Sequence, residues 1–176
     1  YAIQVAKDNG CLISFDPNLR LSLWKTPEEA RRRILYGMKQ CDIMKISEEE
    51  VAFVSEQESL EKGVSFIRDN SDIKILFVTL GNKGSIAYYK DEKIYCGGIH
   101  QEHVVDTTGA GDTFCGAVLS RILELGTDAL TEKDIREMLL FANAAASIVV
   151  TRKGALCSMP EPEEIRAASS LIDKVL

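Results

Sequence analysis

Apolar positions along the chain switch between two rhythms. Short dense runs at residues 12–15, 43–46 and 75–79 read as strands, and the last, rich in β-branched residues, has the make-up of a buried parallel strand. Between them the apolar spacing lengthens to three and four. Ala30, Ile34, Leu35 and Met38 mark one face of a helix that begins after Thr26, with Pro27 in its first turn and a glutamate placed for a capping box. Ser47 starts a short helix, and another covers residues 60–68. Gly81-Asn82-Lys83-Gly84 reads as a turn into a strand at 85–89, which residues 93–97 continue as a local antiparallel segment. Residues 103–105 form an extended approach to a glycine-rich loop. Helices at 111–125 and 131–150 follow, the second apolar almost all round from Met138 to Val150 and so expected to be buried. A last amphipathic helix runs from Pro162 towards Leu176.

Strands and helices alternate, which predicts an α/β layered fold. No repeat, low-complexity tract or linker interrupts the pattern, so residues 1–176 are expected to form a single domain. A helix at residues 2–8 opens directly at Tyr1 without a methionine, an opening that predicts part of a longer protein.

Composition narrows the classes. A hydrophobic content of 45% with 27% charged residues is that of a soluble globular chain. A net charge of −6 and the lack of any basic run beyond Arg31-Arg32-Arg33 argue against a nucleic-acid partner. No apolar run reaches membrane-spanning length, so no membrane partner is expected. The five cysteines are odd in number, widely spaced and free of Cys-x-x-Cys, which reads as reduced thiols in a cytoplasmic protein. His100 and His103 have no neighbours that would complete a metal set.

The most informative segment is Asp106-Thr-Thr-Gly-Ala-Gly-Asp112, running into a helix. Gly109 and Gly111 flank Ala110 and let backbone amides approach a ligand closely, and the following helix points its open first-turn amides at the same place. That combination suits a phosphate. No lysine follows, which excludes a P-loop, and Phe114 stands where a dinucleotide fingerprint needs a small residue. Asp112 places a carboxylate where phosphate charge gathers, a position suited to taking a proton from an attacking hydroxyl. A glycine turn that merely starts a helix is the competing reading. Three other polar clusters follow predicted strands: Asp16-Pro17-Asn18-Leu19-Arg20, Ser47–Glu50 and Thr79-Leu80-Gly81. Ligands on open α/β sheets bind at such strand ends. Each cluster also has a structural reading: turn chemistry at Asp16–Asn18, a capping box at Ser47 and Glu50, a strand end at Thr79. Asn143, polar within a buried helix, requires partners of its own.

The Asp-Thr-Thr-Gly-Ala-Gly-Asp string resembles the signature of PfkB-family carbohydrate kinases, and the resemblance runs through most of the chain, looking closest to fructokinases. It implies a three-layer α/β/α ribokinase-like fold with a mainly parallel sheet, of which this chain is the C-terminal nucleotide-binding half. Most sugar contacts and a lid would belong to the other half. By resemblance, Gly109, Ala110, Gly111 and Asp112 form the anion hole, and Asp112 is the catalytic base that meets the sugar hydroxyl. Asp16, Asn18 and Arg20, followed by Leu23-Trp24, are similar to a segment typical of fructokinases and 2-keto-3-deoxygluconate kinases, with Arg20 adding positive charge near the transferred phosphate. Ser47 and Glu50 align with Asn-x-x-Glu, whose glutamate orders the magnesium–phosphate region; serine replaces the asparagine here. Thr79, Gly81 and Gly84 resemble the nucleotide-facing loop, and Asn143 a residue beside adenine and ribose. Asp106, Thr108, Val149, Arg152, Gly154 and Ser158 match a monovalent-cation site, Val149 and Arg152 through their carbonyls.

The resemblance therefore implies an ATP-dependent sugar kinase making fructose 6-phosphate from fructose, using Mg²⁺ and K⁺, and a homodimer in the full-length form. A 2-keto-3-deoxygluconate kinase or a ribokinase-type enzyme is the alternative within the class. A non-catalytic nucleotide-binding relative is the alternative outside it, against which stand the intact Gly109, Gly111 and Asp112.

Overall fold

Two neighbouring strands, each buried on both faces, anchor the first half of the chain. The computed structural model describes residues 1–172; the end of the helix predicted towards Leu176 lies outside the described residues. The described residues form two compact units, residues 1–79 with 88–91, and residues 80–87 with those from 92 onward.

In the first unit, α1 (Ala2–Asp8) leads to β1 (Ser14–Phe15), α2 (Pro27–Met38), β2 (Ile43–Ser47), α3 (Glu48–Ser55), α4 (Leu60–Asp69) and β3 (Ile75–Thr79). β1 and β2 run parallel with Phe15 opposite Met44, and β2 and β3 run parallel with Ser47 opposite Thr79. Ile43, Met44 and Ile46 on β2 and Ile75, Leu76, Phe77 and Val78 on β3 are all buried, the burial expected of central parallel strands covered on both sides. Ala30, Ile34 and Met38 supply the buried face of α2, while Leu35, expected in that stripe, is only half-buried. The Phe15 ring lies against Gly37, where an added Cβ would come within 2.7 Å of it.

β1 is shorter than the predicted 12–15 for a local reason. The Ile13 amide donates to Asp42 Oδ2 at 2.8 Å, so a side chain stands where a ladder bond would form. Helix starts follow the sequence signals more closely. Ser47 forms a complete capping box with Glu50, and Thr131 forms one with Asp134. Thr26 caps α2 through its hydroxyl, which accepts from the Glu29 amide at 3.1 Å.

The second unit contains most of β4 (Gly84–Tyr89), β5 (Glu92–Gly97), α5 (Ala110–Leu125), α6 (Glu132–Val149) and α7 (Pro162–Ile172). β4 and β5 are neighbours joined through Lys90-Asp91, with Lys90 at φ 51°, the conformation a tight hairpin turn demands. α6 packs on α5, β5 and α7, and Met138, Leu139, Ala142, Ala144, Ala145 and Val149 are fully buried along it, as its all-round apolar pattern predicts. Residues 103–105 do not form a strand. The Val105 amide donates instead to the Val150 carbonyl at 2.7 Å, and Val104 and Val105 remain exposed. No described helix is long and apolar enough to cross a membrane.

Candidate active site

The candidate residues of the first unit gather at the carboxyl ends of its parallel strands. Asp16 follows β1 directly and binds Lys45 of β2 at 3.2 Å, both side chains largely buried. A lysine inside a strand core is stable only with such a partner. Burial raises the Asp16 carboxyl above the ordinary aspartate range; Lys45 opposes that rise and the nearby Glu50 adds to it. Asp16 Oδ1 also accepts from the Asn18 amide at 3.2 Å, an Asx turn that carries Asn18 into the left-handed region at φ 41°.

Glu50 ties this turn to the next strand end. Its Oε1 accepts from the Leu19 amide at 2.6 Å and its Oε2 from the Ser47 amide at 2.9 Å, while Ser47 Oγ accepts from the Glu50 amide at 3.2 Å. The capping box and the ordering of the 16–20 loop are thus one arrangement. Both Glu50 oxygens accept from backbone, so this carboxylate shapes the corner. Arg20 is exposed, with Nη1 donating to the Leu19 carbonyl at 3.0 Å. Thr79 closes β3 opposite Ser47. Lys45 went unnoticed among the candidate residues; the signal was there, a lone lysine within an apolar strand.

In the second unit, Gly109 caps α5 at φ 84°, and no side chain caps that end. The open first turn therefore belongs to Ala110, Gly111 and Asp112, with Asp112 exposed. The Ala110 amide has a weak 3.3 Å bond to the Thr107 carbonyl, and the Thr113 amide begins the regular helix by donating to Gly109 at 2.8 Å. Thr113 is buried, and its hydroxyl has no partner among the described residues.

Asp106 joins this loop to the segment after α6. Oδ1 accepts from the Thr108 amide at 2.9 Å and Oδ2 from the Gly154 amide at 3.2 Å. The Thr108 hydroxyl, with these two amides, holds the Asp106 carboxyl below the ordinary range. Gly154 is at φ 99°, a backbone that strains any other residue, and a Cβ there would lie 2.7 Å from the Cys157 sulfur. Ser158, buried, has its Oγ 2.5 Å from the Gly154 carbonyl and 2.7 Å from that of Ala155. The Arg152 amide donates to the Val149 carbonyl at 3.0 Å, and its guanidinium pairs with Glu164. Asp106, Thr108, Val149, Arg152, Gly154 and Ser158 are thus brought into one bonded neighbourhood rich in oxygen atoms with a single aspartate. Each carbonyl keeps a second lone pair, so the donor set suits a weakly held hard cation. No group of three or more histidine, cysteine and carboxylate side chains able to hold a metal occurs among the described residues.

The Asn143 side chain has protein partners on every side of its amide. It is buried on α6, and its amide is engaged with β4 and β5: Oδ1 accepts from Ser85 Oγ at 3.0 Å, and Nδ2 donates to the Cys96 and Gly97 carbonyls at 3.2 and 3.1 Å. Gly81 is at φ 60° and Gly84 at φ 107° in the turn that these bonds abut.

The chain is 42% identical over 166 residues to fructokinase-1 of Oryza sativa subsp. japonica, a match covering 93% of this chain and 50% of that protein. Fructokinase-1 of Zea mays matches to the same extent. A double-mutant fructokinase of Vibrio cholerae O395, solved with fructose, ADP and potassium ion, superposes with a TM-score of 0.85 at 33% identity, covering 94% of this chain and 53% of that one. The chain thus spans about half the length of the curated relatives it matches. Residues 1–162 match the model of the pfkB family carbohydrate kinases, a stretch that includes the glycine-capped loop, its aspartate and the Asp106 bridge, and the chain belongs to that family.

Proposed function

We propose that this chain carries phosphoryl-transfer machinery of an ATP-dependent fructose kinase, which passes the γ-phosphoryl group of ATP to a primary hydroxyl and yields fructose 6-phosphate. The observation that carries the reading is the Gly109-capped start of α5, where open amides and the exposed Asp112 carboxylate share one helical turn. The amides of residues 109–112 receive charge that develops on the transferring oxygens, and Asp112 takes the proton of the attacking hydroxyl. Thr79, Gly81 and Gly84 belong to the segment that faces the nucleotide, and Asn18 and Arg20 to the one nearest its phosphates. Mg²⁺ supplies charge neutralisation on the ATP phosphates; Ser47 and Glu50 serve that region by holding the 16–20 loop in shape. The family resemblance and the fructokinase relatives support fructose as substrate. The free thiols of all five cysteines support a reducing compartment such as the cytoplasm.

The test is ADP formation by the whole protein with fructose, ribose and 2-keto-3-deoxygluconate in parallel. Fructose is expected to give the highest kcat/KM. Preference for another sugar would reject fructose, and nucleotide binding without any turnover would reject the kinase reading in favour of a regulatory relative.

The same assay addresses the cation. Potassium is expected to raise activity over sodium at fixed ionic strength, because an ion held by the 106–108 and 154–158 segments orders the neighbouring anion loop. Ser158→Ala removes a buried hydroxyl from that set and is expected to weaken the response. A potassium titration that stays flat removes the cation from the account.

A further inference from the structure

We propose that Asn143 is a positioning residue that clamps the 80–84 turn to residues 96–98 and so sets the shape of the nucleotide-facing segment. The functional consequence rests on the kinase reading above; the clamp itself rests on the hydrogen bonds.

A neutral amide side chain has two N–H donors and one carbonyl oxygen. Nδ2 of Asn143 donates to two successive carbonyls, Cys96 and Gly97, and its oxygen accepts from Ser85, a residue with no exposed surface. Both donors are therefore occupied by the backbone of β5. The side chain links one helix to two strands at the point where they cross most closely. A Cβ on Gly84 would lie 2.2 Å from the Cys96 carbonyl oxygen, and one on Gly98 would lie 2.2 Å from that of Asn82. These are backbone-on-backbone contacts in which no flexible side chain can give way. Around them, the Gly98 amide donates to the Lys83 carbonyl at 3.1 Å, Tyr95 Oη donates to the same carbonyl at 2.7 Å, and the Leu80 amide donates to Gly84 at 2.8 Å. The turn is thus closed on itself and bonded to Tyr95 and Gly98 through the Lys83 carbonyl. Asn143 ties this crossing to α6 through its side-chain amide, beside a longer bond of 3.5 Å from Arg136 of α6 to the Tyr95 carbonyl.

Buried hydrogen bonds of this kind hold a loop in one of its accessible shapes, so their loss acts on binding before it acts on chemistry. The experiment compares Asn143→Ala, Asn143→Asp and Ser85→Ala in the whole protein by two readouts. Amide hydrogen exchange on the nucleotide-free protein is expected to quicken at 80–84 and 96–98 in all three, with α5 and the rest of α6 unchanged. The KM for ATP is expected to rise about tenfold in Asn143→Ala and by a smaller factor in Ser85→Ala, with kcat within about twofold of the parent. Ser85→Ala is decisive, since that side chain is fully buried and reaches the turn only through Asn143 and its own backbone. If it leaves both exchange and KM unchanged while Asn143→Ala raises KM, Asn143 acts on the nucleotide directly and the proposal fails. Exchange that quickens uniformly through α5 and α6 in every variant also overturns it, because the residues then support the unit as a whole. A parent protein without nucleotide-dependent activity would sink the kinase reading, while the exchange pattern would still decide the clamp.

Discussion

Asp112→Asn in the whole protein is expected to lower kcat by roughly two to four orders of magnitude, the usual contribution of a positioned general base. Asparagine keeps the size and polarity of the side chain in the first turn of α5 and cannot accept the proton. The amides of that turn come from the Gly109 cap, which the substitution does not touch. ATP affinity is therefore expected to stay within about a factor of three, so that the loss appears in kcat with little change in nucleotide binding. Steady-state kinetics paired with a direct nucleotide titration separates the two. A variant that keeps more than about a tenth of the parent kcat would reject Asp112 as the base.

Lys45→Met is expected to cost about 3 kcal/mol of stability near neutral pH, because it leaves the Asp16 carboxylate in a largely buried position without its counter-charge. The sign of the pH dependence follows from Asp16, whose folded-state pKa already lies above its ordinary value. A raised pKa contributes stability below the unfolded value and loses it as pH rises through the folded one. Removing Lys45 raises the folded value further, so the deficit of the variant is expected to be largest near neutrality and to shrink in acid, where Asp16 is protonated. Urea midpoints at about pH 7 and about pH 4.5 give the comparison. Adding Asp16→Asn to Lys45→Met is expected to restore part of the loss, as coupled partners do. A deficit independent of pH would mean that Lys45 matters through its packing.

What could be read from the chain was what is local. The anion loop lies within seven consecutive residues, the Ser47 capping box within four, and the burial of α6 is written in its own apolar run. Two arrangements that the local pattern does not show depend on distant positions. Lys45 and Asp16 are 29 residues apart, and Asn143 meets Ser85 across 58 and Cys96 across 47. Nothing in either neighbourhood marks the partner, so the Lys45–Asp16 pair and the bonds of Asn143 to Ser85 and Cys96 cannot be read from the chain. The extended approach at 103–105 joins no described strand for a related reason: the Val105 amide goes to Val150, a carbonyl at the end of α6. Local pattern proposes a conformation, and partners distant in sequence decide whether it forms.

The bond from Gly154 to Asp106 has a consequence for the length of the chain. It closes a ring between positions 48 apart in the chain, and the bonds from the Val105 and Asp106 amides to Val150 draw the same ring shut. The entropy of closing a ring depends only weakly on its size, about 0.6 kcal/mol for each doubling. Extra residues are therefore tolerable at the far side, in the exposed Asp128-Ala129 link between α5 and α6, where they touch neither end of the closure. One added residue between Asp106 and Gly109, or between Val150 and Gly154, would shift the closing partners out of register. The protein can grow longer at one point of this ring and must keep an exact count at the other.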